Sequence, residues 1–319
     1  MINSRSARLK ILHMLDFIPD SWMLRLQYRI KTGRRLDLKN PRRYTEKLQW
    51  YKLYYRDPLM AQCADKYEVR EYVKRQGYEH ILNDLLGIYE SPEEIDFDAL
   101  PEQFVLKDTL GGGGNEVLIC TDKEKFDISS AMKTMRNWIQ RKGKHPGREW
   151  VYDGRPHRVI AEAFIPSCPE DGGLIDYKFF CFHGKCEYVY IIADRIVGEK
   201  AGFGIFTPDY QKLPAYRVDE WPLKREVPKP IDWEEMLQCA EILSRPFPHA
   251  RIDLYNPENT LKYEEKNIPL NSKRGGIFGE ITFFNASGYA RFKPDRFDYK
   301  IGRSWILPLK NTKQEIYFW

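Results

Sequence analysis

Two short runs, HARIDLY at 249–255 and FGEIT at 278–282, constrain this chain more than any other stretch. Ile, Leu, Tyr, Phe and Thr alternate with polar residues along both runs, which predicts neighbouring strands. Side chains two apart on a strand point to one sheet face, so Arg251 shares a face with Asp253, and Glu280 with Thr282. One acid on each of two adjacent strands can converge on a hard cation. Mg²⁺ takes a few carboxylate oxygens and fills the rest of its shell with phosphate oxygens of a nucleotide. The same residues also make a plain surface hairpin closed by an Arg251–Glu280 pair, so the rest of the sequence has to decide.

At 319 residues, with 42% hydrophobic and 30% charged residues, the chain can bury a large core and is expected to divide into more than one lobe. No apolar run approaches the roughly 18 residues needed to span a bilayer. The apolar start ILHMLDFIP is broken by His13 and Asp16 and has no small-residue cleavage site after it, so no signal peptide is expected. The six cysteines are scattered and none forms a CxxC, which predicts reduced thiols in a cytoplasmic protein and neither a disulfide frame nor a zinc site.

Charge is unevenly distributed. Residues 1–56 carry 14 Lys or Arg against 4 Asp or Glu, while the remainder carries 37 against 42. Trp22, Tyr28, Tyr44, Trp50, Tyr51, Tyr54 and Tyr55 interleave this basic leader. Such a segment suits nucleic acid, an anionic membrane face or an acidic glycan; it equally suits a helical cap whose basic face packs on the acidic remainder.

In chain order, 7–31 has helical spacing interrupted near Pro19, with Asp20 or Ser21 as cap of a second helix. A further helix is expected from about Thr45 to Asp57-Pro58, and another through Ala61, Val69 and Val73 to Gly77, placing Lys66 and Arg70 on one face. FVLKDTL is a short strand ending in Lys107. It runs into Gly111-Gly112-Gly113-Gly114-Asn115 and a second strand, EVLIC. Such a glycine run lets main-chain N–H groups approach phosphate, but it is not a P-loop, because no Gly-Lys-Ser/Thr follows. Residues 128–142 read as an amphipathic helix, and RVIAEAFIP as a strand in which Glu162 interrupts an apolar run. That acid accepts either an amine such as that of adenine or a basic neighbour. Two strands joined at His183-Gly184 carry Asp176 and Lys178 on one face; a helix follows from Asp232, and the tail beyond 291 reads as packing. Lysines upstream and paired acids downstream are the parts needed to activate a carboxylate with ATP.

The order of these parts resembles the ATP-grasp superfamily, and within it the branch typified by the teichuronopeptide-biosynthesis protein TupA. DKYEVREYV, LPEQFVLKDTLGGGGN, IDYKFFCFHG, ARIDLY and FGEITFFNASG carry the resemblance, which runs from about residue 40 to the tail. It implies an α+β ATP-grasp fold that holds the nucleotide between two lobes. The leader 1–56 precedes a catalytic region, 57–319, with a glycine-loop lobe at about 103–165 and a metal-binding lobe at about 166–319. It implies ATP and Mg²⁺ as cofactors. Lys66, Arg70, Lys107 and Gly111, Gly112, Gly113 and Gly114 would meet the phosphates; Glu162, Ala163 and Phe164 would meet adenine; Glu170 or Asp171 would meet the ribose. Lys178 would make a triphosphate contact and Arg251 would steady the acyl-phosphate or oxyanion. Asp253 and Glu280 would bind metal. The usual E-x-N is E-I-T here, so Thr282 or Asn285 completes the metal set, and the charged link 256–276 is longer than expected.

The activity implied is ATP-dependent amide formation between a carboxylate, such as a uronic acid of a cell-surface polysaccharide or its precursor, and an amino acid or amine. The setting expected is the cytoplasm at the inner face of the membrane, with residues 1–56 on anionic lipid and no nucleic acid partner. Two other readings are a glycosyltransferase, for which no convincing DxD motif is found, and a non-catalytic module that binds an anionic glycan or membrane.

Overall fold

The computed structural model describes residues 11–112, 116–166, 173–194, 201–256 and 276–310. Helices run over Asp20–Thr32 (α1), Tyr44–Tyr54 (α2), Pro58–Ala64 (α3), Val69–Arg75 (α4), Ile128–Ile139 (α5), Trp233–Ser244 (α6) and Arg296–Ser304 (α7). Strands run over Leu85–Tyr89 (β1), Phe104–Asp108 (β2), Val117–Cys120 (β3), Val159–Ala163 (β4), Asp176–Phe182 (β5), Lys185–Ala193 (β6), Gly202–Phe206 (β7), Tyr216–Arg217 (β8), Trp221–Pro222 (β9), His249–Tyr255 (β10), Ile277–Thr282 (β11) and Phe292–Lys293 (β12).

Four strands form one antiparallel sheet in the order β1-β4-β2-β3. Ala131, Met135 and Trp138 recur at helical spacing on α5 and bury against Phe104, Leu106, Val159 and Ala161 of that sheet. Asp127 starts α5 by accepting the Ser130 N–H at 2.9 Å. The second sheet has six strands in the order β11-β10-β5-β6-β7-β9, antiparallel except where β7 meets β9. Strand alternation divides its faces. Tyr177 and Phe179 meet Trp233 of α6, with ring centroids 6.0 and 5.3 Å apart. Asp176, Lys178, Arg251 and Asp253 therefore point to the opposite face. A third, two-stranded sheet joins β8 to β12.

The aromatic leader is built into this core. Tyr44 on α2 is fully buried, and its hydroxyl meets His249 Nε2 at 3.0 Å. Burying a ring of this size contributes about 1.5–3 kcal/mol. Asp298 of α7, itself buried, accepts the Thr45 N–H at 3.0 Å and the Thr45 hydroxyl at 2.8 Å. Arg43 reaches Asp298 at 3.4 Å and Asp295 at 2.7 Å. Part of the leader's positive charge is thus spent inside the protein, and no helix among the described residues is long and apolar enough to cross a membrane. The five described cysteines are buried and unpaired.

Two helix boundaries differ from expectation. Pro19, in extended backbone at φ −53° and ψ 136°, takes the N-cap position of α1, so Asp20 becomes a first-turn residue. Its carboxylate there complements the positive helix end and pairs with Lys144 at 3.0 Å. The helix expected through Lys66 and Arg70 is broken between α3 and α4. Buried Asp65 accepts the N–H groups of Tyr67 at 2.8 Å and Glu68 at 3.0 Å, competing with helical bonding. Lys66 and Arg70 consequently do not share a helix face.

Gly302 lets α7 lie directly on α2. A Cβ there would fall 2.2 Å from Arg42 O and 2.9 Å from Tyr44 N, both main-chain atoms that cannot rotate away. Alanine would gain up to about 1 kcal/mol in helix propensity, but the clash outweighs it. Gly302→Ala is expected to lower the unfolding free energy by roughly 1–3 kcal/mol in urea denaturation; undiminished stability would show that α7 can shift off α2 freely.

Candidate active site

One row of side chains crosses the six-stranded sheet. Glu280 of β11 is opposite Asp253 of β10, Asp253 opposite Lys178 of β5, and Lys178 opposite Tyr190 of β6. Directly opposed residues in antiparallel strands project to the same face, so the two acids stand side by side. Arg251, two residues along β10, holds them there. Its Nε and Nη2 donate to the two Asp253 oxygens at 2.7 and 2.6 Å, and Nη2 also reaches Glu280 at 3.0 Å. Lys178 donates to the second Asp253 oxygen and pairs with buried Asp176 at 2.7 Å.

The electrostatics separate the two acids. Burial pushes the Asp253 carboxyl above its ordinary range, helped by neighbouring Asp176 and Glu280, although Arg251 and Lys178 pull the other way. Burial also acts on Glu280, but Lys66, Arg251 and Lys178, with the Thr282 hydroxyl bond, overcome it and lower its pKa to about 2. About a third of the Glu280 side chain remains exposed, so the charge faces open space. Arg251 loses hydration yet keeps its proton, because Asp253 and Glu280 outweigh burial and raise its pKa.

Thr282 and Asn285 meet the same guanidinium. The Thr282 hydroxyl accepts from Arg251 Nη2 and donates to Glu280 Oε1, both at 3.0 Å. Asn285 Oδ1 accepts from Arg251 Nη1 at 2.6 Å. Arginine only donates, so this contact fixes the amide orientation and leaves Nδ2 buried without a hydrogen-bond partner. The Tyr190 hydroxyl is likewise buried and unpartnered.

The other sheet supplies the facing wall. Lys107 on β2 donates to Glu162 Oε2 on β4 at 2.6 Å, and Arg70 lies 3.5 Å from Glu162 Oε1. Glu162 therefore has basic neighbours, one of its two expected partners. Ala163 uses its N–H on Asp84 O at 3.0 Å and its carbonyl on Asn83 Nδ2 at 2.8 Å; Phe164 follows, half-buried. Gly111 sits where a Cβ would lie 2.5 Å from that of Glu116. Gly112 N–H donates to Glu116 at 3.2 Å, and Lys66 donates to Gly111 O while lying 4.0 Å from Glu280. Lys66 is thus the side chain that links the glycine turn to the acids. Gly113, Gly114, Glu170, Asp171 and nearly all of the 256–276 link lie outside the described residues.

A cavity of ≈ 1420 Å³ gathers these parts. Lys66, Lys107, Gly111 and Gly112 line it with Lys178, Arg251, Asp253, Glu280, Thr282 and Asn285, whereas Arg70, Glu162, Ala163 and Phe164 do not reach its surface. Sequence reasoning missed the Asp108–His157 pair at 2.8 Å and Arg141, 3.0 Å from Glu116. Both belong to contacts between residues distant in the chain, and no local spacing signals them. Asp176 was visible only as a face-mate of Lys178. Among the described residues no three His, Cys, Asp or Glu side chains gather as a metal cage. Two opposed carboxylates in a lysine-lined cavity fit Mg²⁺ held together with a polyphosphate, which needs only one or two protein carboxylates.

Residues 46–306 match the model of the TupA-like ATP-grasp family. The chain belongs to that family. No curated protein matches it. Similar solved structures include D-alanine–D-alanine ligase from Bacillus anthracis, at 16% identity over 76% of this chain and 67% of that one, TM-score 0.42. The Helicobacter pylori D-alanine–D-alanine ligase follows at 14% over 83% and 68%, TM-score 0.41. The Bacillus anthracis ligase complexed with ATP matches at 17% over 76% and 66%, TM-score 0.38.

The turn bearing Asn285 is held by a buried lysine. Lys52 of α2 donates to Gly147 O at 2.7 Å and Ser287 O at 2.8 Å, and burial lowers its pKa to about 7 although Glu149 opposes this. Between pH 7 and the unfolded value near 10.5 the unfolded chain holds the proton and the native one does not, so this group's contribution becomes more favourable as pH rises. The stability difference between the parent and Lys52→Met, from denaturation at several pH values, should therefore shift toward the parent between pH 7 and 9. The expected slope approaches about 1.4 kcal/mol per pH unit; a flat difference would mean that Lys52 stays charged in the native state.

Proposed function

We propose that the protein is an ATP-dependent carboxylate–amine ligase that joins an amino acid or amine to a carboxylate, a uronic acid of a cell-surface glycan or its precursor, in the cytoplasm. The observation that carries this reading is the opposed Asp253–Glu280 pair, bound to Arg251 and Lys178 and facing Lys66 across one cavity. Family membership supports the nucleotide half of the reading; the glycan half rests on the branch resemblance alone.

Lys66, Lys107 and the main chain at Gly111 and Gly112 would hold the ATP phosphates. Asp253 and Glu280 would hold Mg²⁺, which supplies electrophilic charge at the phosphoryl group when bound. Thr282 and Asn285 would orient that set through Arg251. Transfer of the γ-phosphoryl group to a carboxylate oxygen breaks the bond to ADP and forms an acyl phosphate. An amine nitrogen then attacks the carbonyl carbon, and loss of inorganic phosphate and a proton leaves the amide. Arg251, kept charged by its carboxylates, and Lys178 would stabilise negative charge in both steps. Glu162 would position Lys107 through their ion pair. Neutral Asp253→Asn and Glu280→Gln keep shape but remove charge from the acid pair.

ADP and phosphate release from Mg·ATP, measured over a panel of uronic-acid glycans with amino acids, should require both partners and give a product with the mass of an amide. Asp253→Asn and Glu280→Gln should each cut kcat by at least about 10²-fold while remaining folded. Normal turnover in both variants would remove the acids from the mechanism. Lys107→Met should act mainly on nucleotide affinity, raising the Kd for Mg·ATP by about tenfold or more in calorimetry; an unchanged Kd would confine Lys107 to its pair with Glu162.

A further inference from the structure

A second concavity, of ≈ 970 Å³, lies between the start of α2, the face of α7 and residues 213–215. Arg42, Lys47, Arg296, Lys300 and Arg303 line it, and none of its lining residues is acidic. Arg296, Lys300 and Arg303 are spaced i, i+4, i+7, so one face of α7 stacks three cations. Like charges at this spacing destabilise a helix unless something offsets them. The nearby acids do not. Asp295 is held by Arg34 and Arg43, and Asp298 is buried on Thr45. Lys47 donates to the main-chain carbonyls of Gly302 and Trp305 at the end of α7, a partial offset with no acid involved. Among the described residues none of the five lining cations forms an ion pair with an acid.

We propose that this groove binds an acidic glycan chain, separately from the ligase cavity. Shape and chemistry favour a glycan over the other polyanions. The cations follow a concave wall, whereas a flat bilayer surface would be met by a convex or planar one. Pro41, Pro214 and Pro294 line the groove with the cations, which gives apolar ring surface beside charge, the pairing that a uronic-acid sugar presents; Tyr299 lines it too, with Arg43 over one face of its ring. Helix geometry spaces Arg296, Lys300 and Arg303 by about 6 and 4.5 Å along the axis, on the scale of successive sugar rings. From the leader the groove takes Arg42 and Lys47, whereas neighbouring Arg34 and Arg43 are held by Asp295. This inference does not rest on the ligase reading, because none of the lining residues borders the acid pair.

The test is fluorescence anisotropy of a labelled oligogalacturonate with the full chain, at low and high salt. Carboxyl-reduced oligosaccharide, single-stranded DNA of matched charge and phosphatidylserine vesicles serve as comparison probes. Binding of the oligogalacturonate should weaken with salt and fall by at least about tenfold in Arg296→Glu/Arg303→Glu. The neutralising pair Arg296→Gln/Arg303→Gln should give a smaller loss in the same direction, and the melting temperature reports folding of both variants. Glu280→Gln should bind the probe as the parent does, which keeps the groove distinct from the reaction site. The proposal is overturned if the α7 variants bind like the parent, if Glu280→Gln alone abolishes binding, if the carboxyl-reduced probe binds equally well, or if only DNA or vesicles show the Arg296 and Arg303 dependence.

Discussion

The site depends on the burial of one guanidinium. Moving a cation out of water costs several kcal/mol unless it is fully paired, and Arg251 is paired at every nitrogen: two bonds to Asp253, one each to Glu280, Thr282 and Asn285. The paired contact with Asp253 is the strong, geometrically demanding kind. These bonds join β10, β11 and the turn after β11 into a single unit. They also solve a problem of the sheet itself. Two carboxylates directly opposite each other repel, and Arg251 and Lys178 offset that repulsion between Asp253 and Glu280. The cost of bringing the acids together is thus offset within the fold, and on the proposed ligase reading this is where Mg²⁺ would be held.

Helix α2 carries that unit to the rest of the chain. Its first turn is fixed by Asp298 and by the close approach of Gly302, and its last turns reach the Asn285 turn. Gln49 donates to Ser287 O and Gly288 O at 3.0 and 2.9 Å, and Lys52 adds its own bonds to Ser287. Ala286 and Ser287 lie at φ 47° and 52°, a backbone region that costs energy for residues with a Cβ. Such a turn persists only where its surroundings impose it, and α2 does so through two side chains. Aromatic packing of Tyr44 and Tyr51 with Trp305 keeps the helix from moving. What sequence inspection treats as a basic, aromatic leader is therefore in part a support for the acid pair.

The residues that sequence patterning located are those whose signal is local. Period-two alternation placed Arg251 with Asp253 and Glu280 with Thr282, and the strand registers agree with both pairings. The antiparallel β2–β3 hairpin around the glycines was legible for the same reason. Lys66 illustrates the opposite case. Helical spacing through Ala61, Val69 and Val73 survives a break of one turn, while the Asp65 side chain that makes the break is a single residue inside an apolar pattern. The Asp108–His157 pair and the Asp298–Thr45 bonds join residues 49 and 253 apart, and no window of sequence holds both partners. Asp298 sits in a tail read as packing, and it does pack, but through a buried carboxylate.

The charge asymmetry resolves along the same lines. Arg34 and Arg43 are paired with Asp295 and Asp298, and Lys52 is buried, so these three described cations add no free charge to the surface. The charge that remains uncompensated at this end of the fold is collected by α7, where a second basic face adds to Arg42 and Lys47. Helix α2 then borders two sites: cations at its start face the groove, and Gln49 and Lys52 near its end support the turn beside Asp253 and Glu280. On the two proposals together, a glycan held at the first site and a carboxylate presented at the second would both be referred to one rigid, buried helix. That arrangement fixes their relative placement through packing already in the core, and it requires no movement of either sheet.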